Sequence, residues 1–258
     1  MRFIFAVLSF LLLTGPVLAE SFNDTQKQEI GDIVKAYMLE HPELLKDMIE
    51  KLKVKEDALA LDEQGAAIAT SAKNIFHNEL DGVVGNPNGD VTVVEFLDYN
   101  CAWCKKSISA VQELVKKDPN LRVVIKEWPI FGYTSEYAAR AATASVRQDK
   151  YWAFHQALFA AILPHGQEDT AATRAAGEAA VEKVAKSVGI DVAKLKTDMK
   201  DPAIEDNLTN TGKLATALKF SGTPGFLVNK NVYPGYQELA AMESAISKER
   251  SHGVCKDC

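Results

Sequence analysis

The chain has 258 residues, 47% of them apolar and 25% charged. That composition excludes a disordered, collagen-like or disulfide-dense small protein and leaves room for one sizeable core with a smaller satellite. With 29 basic against 35 acidic residues, a formal charge of −6, it argues against a general nucleic-acid-binding surface.

In chain order, Arg2, the apolar run 3–13 and Val17-Leu18-Ala19 read as a secretory signal over residues 1–19. The apolar run is shorter than the roughly 20 residues that cross a bilayer as a helix. Export takes the mature chain to an oxidising compartment, the periplasm in a Gram-negative bacterium, where disulfides persist. Residues 20–85 form a helical region. Asp24 or Thr25 can cap an amphipathic helix carrying Ile30, Ile33, Val34, Tyr37 and Met38, and His41-Pro42 interrupts it. Leu44, Leu45, Met48, Ile49 and Leu52 make a second stripe; residues 53–64 suit an exposed helix or linker, and residues 66–80 a third helix. The turn residues Asn86-Pro87-Asn88-Gly89-Asp90 mark the expected domain boundary, with the catalytic domain over 86–258.

Beyond that turn, residues 91–97 read as a buried strand, 107–117 as an amphipathic helix and 121–128 as a second strand, a unit that makes a parallel pair. Residues 135–219 are helical in pattern. Residues 226–228 and 232–233 can form a hairpin and 238–248 a last helix. The expected class is therefore α/β with an inserted helical block.

The four cysteines fall in two pairs of equal spacing, Cys101/Cys104 and Cys255/Cys258. Cys101-Ala102-Trp103-Cys104 sits between strand and helix, where unpaired amides and the helix dipole stabilise a thiolate, the nucleophilic form of sulfur. Cys101 is expected as the exposed attacking sulfur and Cys104, one turn into the helix, as the resolving one. Lys105 and Lys106 add positive charge nearby. A structural disulfide over so short a loop would be a poor staple, and the second pair lies too far along the chain for a compact zinc ribbon. Glu95, six residues before Cys101 and inside a buried strand, is a carboxylate that burial pushes up in pKa.

Glu95-Phe96-Leu97-Asp98-Tyr99 with Cys101-Ala102-Trp103-Cys104-Lys105, and later Ser221-Gly222-Thr223-Pro224-Gly225-Phe226, resembles the thioredoxin-fold thiol–disulfide oxidoreductases of the DsbA-like branch. The resemblance implies a thioredoxin fold with an inserted helical domain. It also implies a cis Pro224 whose neighbour Thr223 faces the sulfur and receives substrate chain, and a Glu95 that handles the proton of the buried cysteine. It calls for no cofactor and no metal. Strongly oxidising members carry Pro-His between the cysteines; here Ala102-Trp103 supplies no ionisable group, and Thr223 resembles the isomerase-like members. Disulfide isomerase or reductase is therefore preferred to a dithiol oxidase, with unfolded or misdisulfided proteins as substrates and a membrane redox partner.

Residues 22–53 are similar to the N-terminal region of ScsC-type proteins, the DsbA-like proteins linked to copper tolerance. That resemblance implies homo-oligomerisation, a trimer favoured, through helices with little domain of their own to bury against. Cys255-Lys256-Asp257-Cys258 lies outside the family pattern. A local disulfide is its plain reading; Cu(I) binding with His252, or a redox relay to Cys101, are alternatives. A copper-binding or holdase protein without turnover is the rival to the enzyme. His155 and His165 read as ordinary surface or helix-packing residues.

Overall fold

The computed structural model describes residues 22–161, 169–255 and 257–258. The expected signal segment and His165 lie outside them. The described residues form two compact units that part between Glu56 and Asp57.

In the first unit, helix α1 (Asp24–Glu40) is capped by Asn23, not by Asp24 or Thr25. The Asn23 side chain accepts from the Gln26 amide and the Gln26 side chain accepts from the Asn23 amide, a reciprocal capping box. The helix stops at His41, before Pro42, because the residue preceding a proline is pushed out of the helical region. Helix α2 (Glu43–Phe76) is a single helix where the sequence suggested two separated by a charged stretch, and the two units part within it. No residue of α1 is buried. Val34, Met38, Leu39, Pro42 and Leu45 line an open apolar groove in this unit.

The second unit is built on five strands: β1 (Gly82–Gly85), β2 (Val91–Leu97), β3 (Leu121–Glu127), β4 (Gly225–Val228) and β5 (Asn231–Pro234). Their order is β1-β3-β2-β4-β5; β2 and β3 are parallel and every other pair is antiparallel. The turn at 86–90 joins two strands of this one sheet, so the division expected at residue 86 is corrected. A four-residue strand is too short to announce itself beside a turn-rich segment, and β1 gains its stability from pairing with β3.

The central strand β2 is buried along its whole length. Alternation sends Val93 and Leu97 to one face of the sheet and Val94 and Phe96 to the other. The first face packs against α3 (Ala102–Lys117) and α9 (Leu239–Ser251) and the helical block α4 (Tyr133–Ser145), α5 (Tyr151–Ala160), α6 (Ala171–Ser187) and α7 (Val192–Asp198). The second packs against Ile68, Ile75 and Phe76 of α2 and Leu214, Ala215 and Leu218 at the end of α8 (Pro202–Ala217). The helical block sits between β3 and β4, as the insertion expected over 135–219. Glu95 shares the parity of Val93 and Leu97 and so points to the α3 face. Among the described residues, no helix is long and apolar enough to cross a membrane.

Candidate functional site

Cys101 follows β2 at its C-terminal end and is itself the N-cap of α3. Its sulfur accepts from the Cys104 amide at 3.3 Å, taking the place that a Ser or Asp oxygen takes in an ordinary cap. The loop before it is held by Asp98. That carboxylate accepts from the amides of Asn100 (2.7 Å), Ile130 (2.7 Å) and Phe131 (3.0 Å) and from the Ser135 hydroxyl (2.8 Å), while the Asp98 carbonyl accepts from the Cys101 amide at 3.1 Å. One buried side chain thus ties the cysteine turn to the segments after β3 and at the start of α4.

From the other side comes Thr223-Pro224, joined by a cis peptide bond. The Cys101 thiol donates to the Thr223 carbonyl at 3.2 Å, so the structure brings the two sequence motifs into contact across 122 positions of chain. Gly225 follows because the Phe220 ring packs against its Cα; a Cβ there would stand 2.8 Å from the ring. Cys101 is only 4% exposed, where the sequence suggested an exposed sulfur, because Thr223 lies over it. Cys104 is fully buried, and both cysteines are free thiols in this structure.

The two sulfurs are driven in opposite directions. The Cys104 thiol, the Thr223 hydroxyl and the amides of Cys104 and Trp103 stabilise charge on Cys101 and lower its pKa to about 6. The buried Thr223 hydroxyl has no partner of its own, which leaves it available to that sulfur. Burial pushes the Cys104 thiol far up, helped by its bond to Cys101 and by the negative charge of Glu95. Glu95, 1% exposed, is raised to about 8 by burial, against the opposing Ser107 hydroxyl of α3. One of its oxygens has no partner. The five expected site residues, Cys101, Cys104, Glu95, Thr223 and Pro224, therefore converge at one end of the sheet. Lys105 and Lys106 are engaged elsewhere: Lys105 donates to the Ala161 carbonyl at 3.1 Å, and Lys106 lies over the Tyr236 ring at 4.3 Å. Trp103 is 58% exposed and packs beside Tyr236, with ring centres 5.5 Å apart.

A second buried polar group adjoins the site and was missed by sequence reasoning. Tyr99 donates to Glu127 at 2.7 Å and lies 2.9 Å from His155 Nδ1; Tyr151 donates to the same Glu127 oxygen at 2.8 Å. Burial raises Glu127 to about 8 and lowers His155 to about 3, so both are held neutral at pH 7. His155 is a helix-packing residue with no exposed surface. The signal that points to Glu127 was present: like Glu95, it is a carboxylate in a strand buried along its whole length, here at the strand's last position.

The remaining pair, Cys255 and Cys258, is closed as a local disulfide. It lies at the opposite end of the sheet from Cys101, because the Cys258 main-chain oxygen accepts from Thr92, at the start of β2. The six residues Thr92 to Leu97 span about 17 Å, which rules out direct relay to Cys101 within this unit. Among the described residues no cluster of three or more His, Cys, Asp or Glu side chains suits a metal ion.

Comparison with known proteins agrees with this geometry. Residues 92–247 match the DSBA-like thioredoxin domain, and residues 26–58 match the copper resistance protein ScsC N-terminal domain. A thioredoxin-like oxidoreductase from Silicibacter pomeroyi DSS-3 is 40% identical, covering 69% of this chain and 97% of its own, with a TM-score of 0.62. A linker-deletion mutant of Proteus mirabilis ScsC, 20% identical, superposes over 90% of this chain and 99% of its own with a TM-score of 0.63, a likeness of fold. Disulfide bond formation protein D of Bacillus subtilis is 26% identical over 65% of this chain and 76% of that protein. Na(+)/H(+) antiporter NhaA 3 of Salinispora tropica is 27% identical over 65% of this chain, which spans 24% of that protein's length. With the domain match covering more than half of its residues, the chain belongs to the DSBA-like thioredoxin-domain family of thiol–disulfide oxidoreductases.

Proposed function

We propose that this protein is a periplasmic disulfide isomerase or reductase, working as a homo-oligomer on unfolded or misdisulfided proteins. The observation that carries the reading is a Cys101 thiol at about 6 with no ionisable group between the two cysteines. Attacking cysteines sit at about 7 in thioredoxin and about 3.5 in the strong oxidant DsbA. A moderately lowered pKa leaves a thiolate at neutral pH without stabilising the reduced form so far that the disulfide becomes a strong oxidant.

In the reaction, the Cys101 thiolate attacks one sulfur of a substrate disulfide. A mixed disulfide forms and a substrate thiolate leaves. For isomerisation, another substrate thiolate attacks the substrate sulfur of that mixed disulfide and returns Cys101 as thiolate, with no net electron transfer. For reduction, Glu95 takes the proton of Cys104, whose thiolate attacks Cys101 and expels the substrate. Glu95 suits this because a group with a pKa of about 8 both accepts and returns a proton near neutral pH. The Thr223 backbone, already against Cys101, offers its main chain to the substrate beside the reacting sulfur.

Oligomerisation rests on the first unit, where α1 has no buried residue and Val34, Met38 and Leu45 stay exposed. An apolar face of that size calls for cover, and copies of the same face satisfy it by symmetry. Periplasmic placement rests on the signal pattern over residues 1–19.

The test is the equilibrium of Cys101–Cys104 with glutathione, alongside reactivation of a protein with scrambled disulfides. A couple near about −180 mV or lower, with reactivation, supports the reading. A value near about −120 mV without reactivation makes the protein a dithiol oxidase.

A further inference from the structure

We propose that the Cys255–Cys258 pair is a second thiol–disulfide exchange centre, held ready at the end of the sheet opposite Cys101 and turned over by external thiols. The disulfide joins residues three positions apart. So small a ring restricts the unfolded chain very little, so the bond does not serve as a staple. Both sulfur-bearing residues retain solvent access, which an exchange reaction needs and a buried structural disulfide lacks.

The segment around the pair is anchored at both ends. Before it, Arg250 at the end of α9 binds both oxygens of Asp90, at 2.8 and 2.7 Å, and Asp118 at 2.8 Å. At its second cysteine, the Cys258 main-chain oxygen accepts from the Thr92 hydroxyl at 2.8 Å and from Arg122 at 3.2 Å. Asp257 pairs with Lys230 at 3.2 Å, and the Cys258 side chain packs against the apolar cluster on the second face of the sheet. Thr92 and Arg122 are register partners on the parallel strands β2 and β3, so the anchor is part of the sheet itself.

Anchors of this kind act on a redox pair through proximity. With both ends fixed, the two thiols stay close after reduction and the disulfide re-forms at a high effective concentration. The anchored pair therefore favours the disulfide more than the same residues in a free peptide. In exchange, an external thiolate such as that of glutathione attacks one sulfur, the Cys255–Cys258 bond breaks, and the other sulfur leaves as a thiolate and takes a proton from water. A second external thiolate then displaces the first as an external disulfide, and the remaining sulfur takes a second proton. Two electrons and two protons have passed from two thiols to the pair.

The test uses the full chain with Cys101→Ser and Cys104→Ser, so that only this pair titrates and the outcome is independent of the function proposed for Cys101. The protein is equilibrated in glutathione buffers, quenched with acid and alkylated, and its mass is read while circular dichroism verifies the fold. Expected is a single transition from no modified thiol to two, in folded protein, needing more reduced glutathione than a free peptide of residues 251–258. Thr92→Val should move the midpoint toward the peptide by about 2- to 10-fold, the worth of one such hydrogen bond, and Lys230→Gln, which removes a solvent-exposed ion pair, by a smaller factor in the same direction. A pair that opens only after denaturant is added would overturn the proposal. So would a pair that titrates like the peptide and ignores both substitutions.

Discussion

The amide of Cys104 donates to the sulfur of Cys101 at 3.3 Å, so the residue proposed to resolve the mixed disulfide also holds charge on the residue proposed to form it. The Cys104 side chain adds to this, since its thiol is the largest influence lowering Cys101 to about 6. Both effects follow from placing the two cysteines one helical turn apart at a helix start.

Replacing Cys104 tests that coupling. Cys104→Ala keeps the amide and removes the thiol donor, and should slow iodoacetamide alkylation of Cys101 at pH 6 by roughly 3- to 10-fold. Cys104→Ser, which retains a donor, should lose less. Equal rates in both variants would assign the low pKa to the helix start alone.

Trp103→His places an ionisable ring between the sulfurs, at an exposed position that accepts it without loss of core packing. The imidazolium should lower the Cys101 pKa below about 6 and make the Cys101–Cys104 disulfide more oxidising. The checks are thiolate absorbance against pH and the equilibrium with glutathione.

Glu95 gives a pH signature in stability. With its folded pKa raised from 4.5 to about 8, the unfolded chain holds fewer protons than the folded one as pH rises toward 8. The stabilisation that protonation lends the fold is complete below 4.5 and is lost as pH rises through about 8. Glu127 acts with the same sign, and His155, lowered to about 3, is neutral in both states above about pH 7. Urea denaturation of the disulfide form, in which Cys101 does not titrate, should therefore show stability falling between about pH 7 and 8. Glu95→Gln should flatten that slope and slow release of the substrate from Cys101. A slope unchanged in both Glu95→Gln and Glu127→Gln would show these carboxyls to be ionised in the fold.

Tyr99→Phe should destabilise the protein by about 1–3 kcal/mol, because it strips a hydrogen bond from buried Glu127 and from buried His155 together. Tyr151→Phe should cost less, since Tyr151 lies 3.4 Å from His155 and only its bond to Glu127 is short. The comparison is made on urea midpoints at constant slope.

Met38→Asp with Leu45→Asp should dissociate the proposed oligomer, read by light scattering, because charge on the groove opposes its cover. Single-turnover exchange at Cys101 should persist while reactivation of scrambled substrate falls. An unchanged mass would remove the groove from the interface.

How much of this was legible beforehand depended on the range of the interaction. Strand β2, the helix after Cys101 and the hairpin β4–β5 follow local patterns, and so does the break at Pro42. Glu95 stood out because a carboxylate in an apolar strand is costly wherever that strand lies. Strand β1 was hidden, since its four residues gain their identity from a partner nearly forty positions away. The helix α2 was divided in the sequence reading because a charged surface and a charged linker have the same composition.

Neighbours along the chain suffice to recognise the reactive groups: two sulfurs one turn apart, a proline loop and a carboxylate inside an apolar strand. The fold sets what those groups do to one another. It set the Thr223 carbonyl against Cys101, joined Glu127, Tyr99, Tyr151 and His155 into one buried group, and placed Cys258 at the far end of β2. Proximity between residues more than a hundred positions apart comes from strand pairing and shared burial, and no local pattern encodes it.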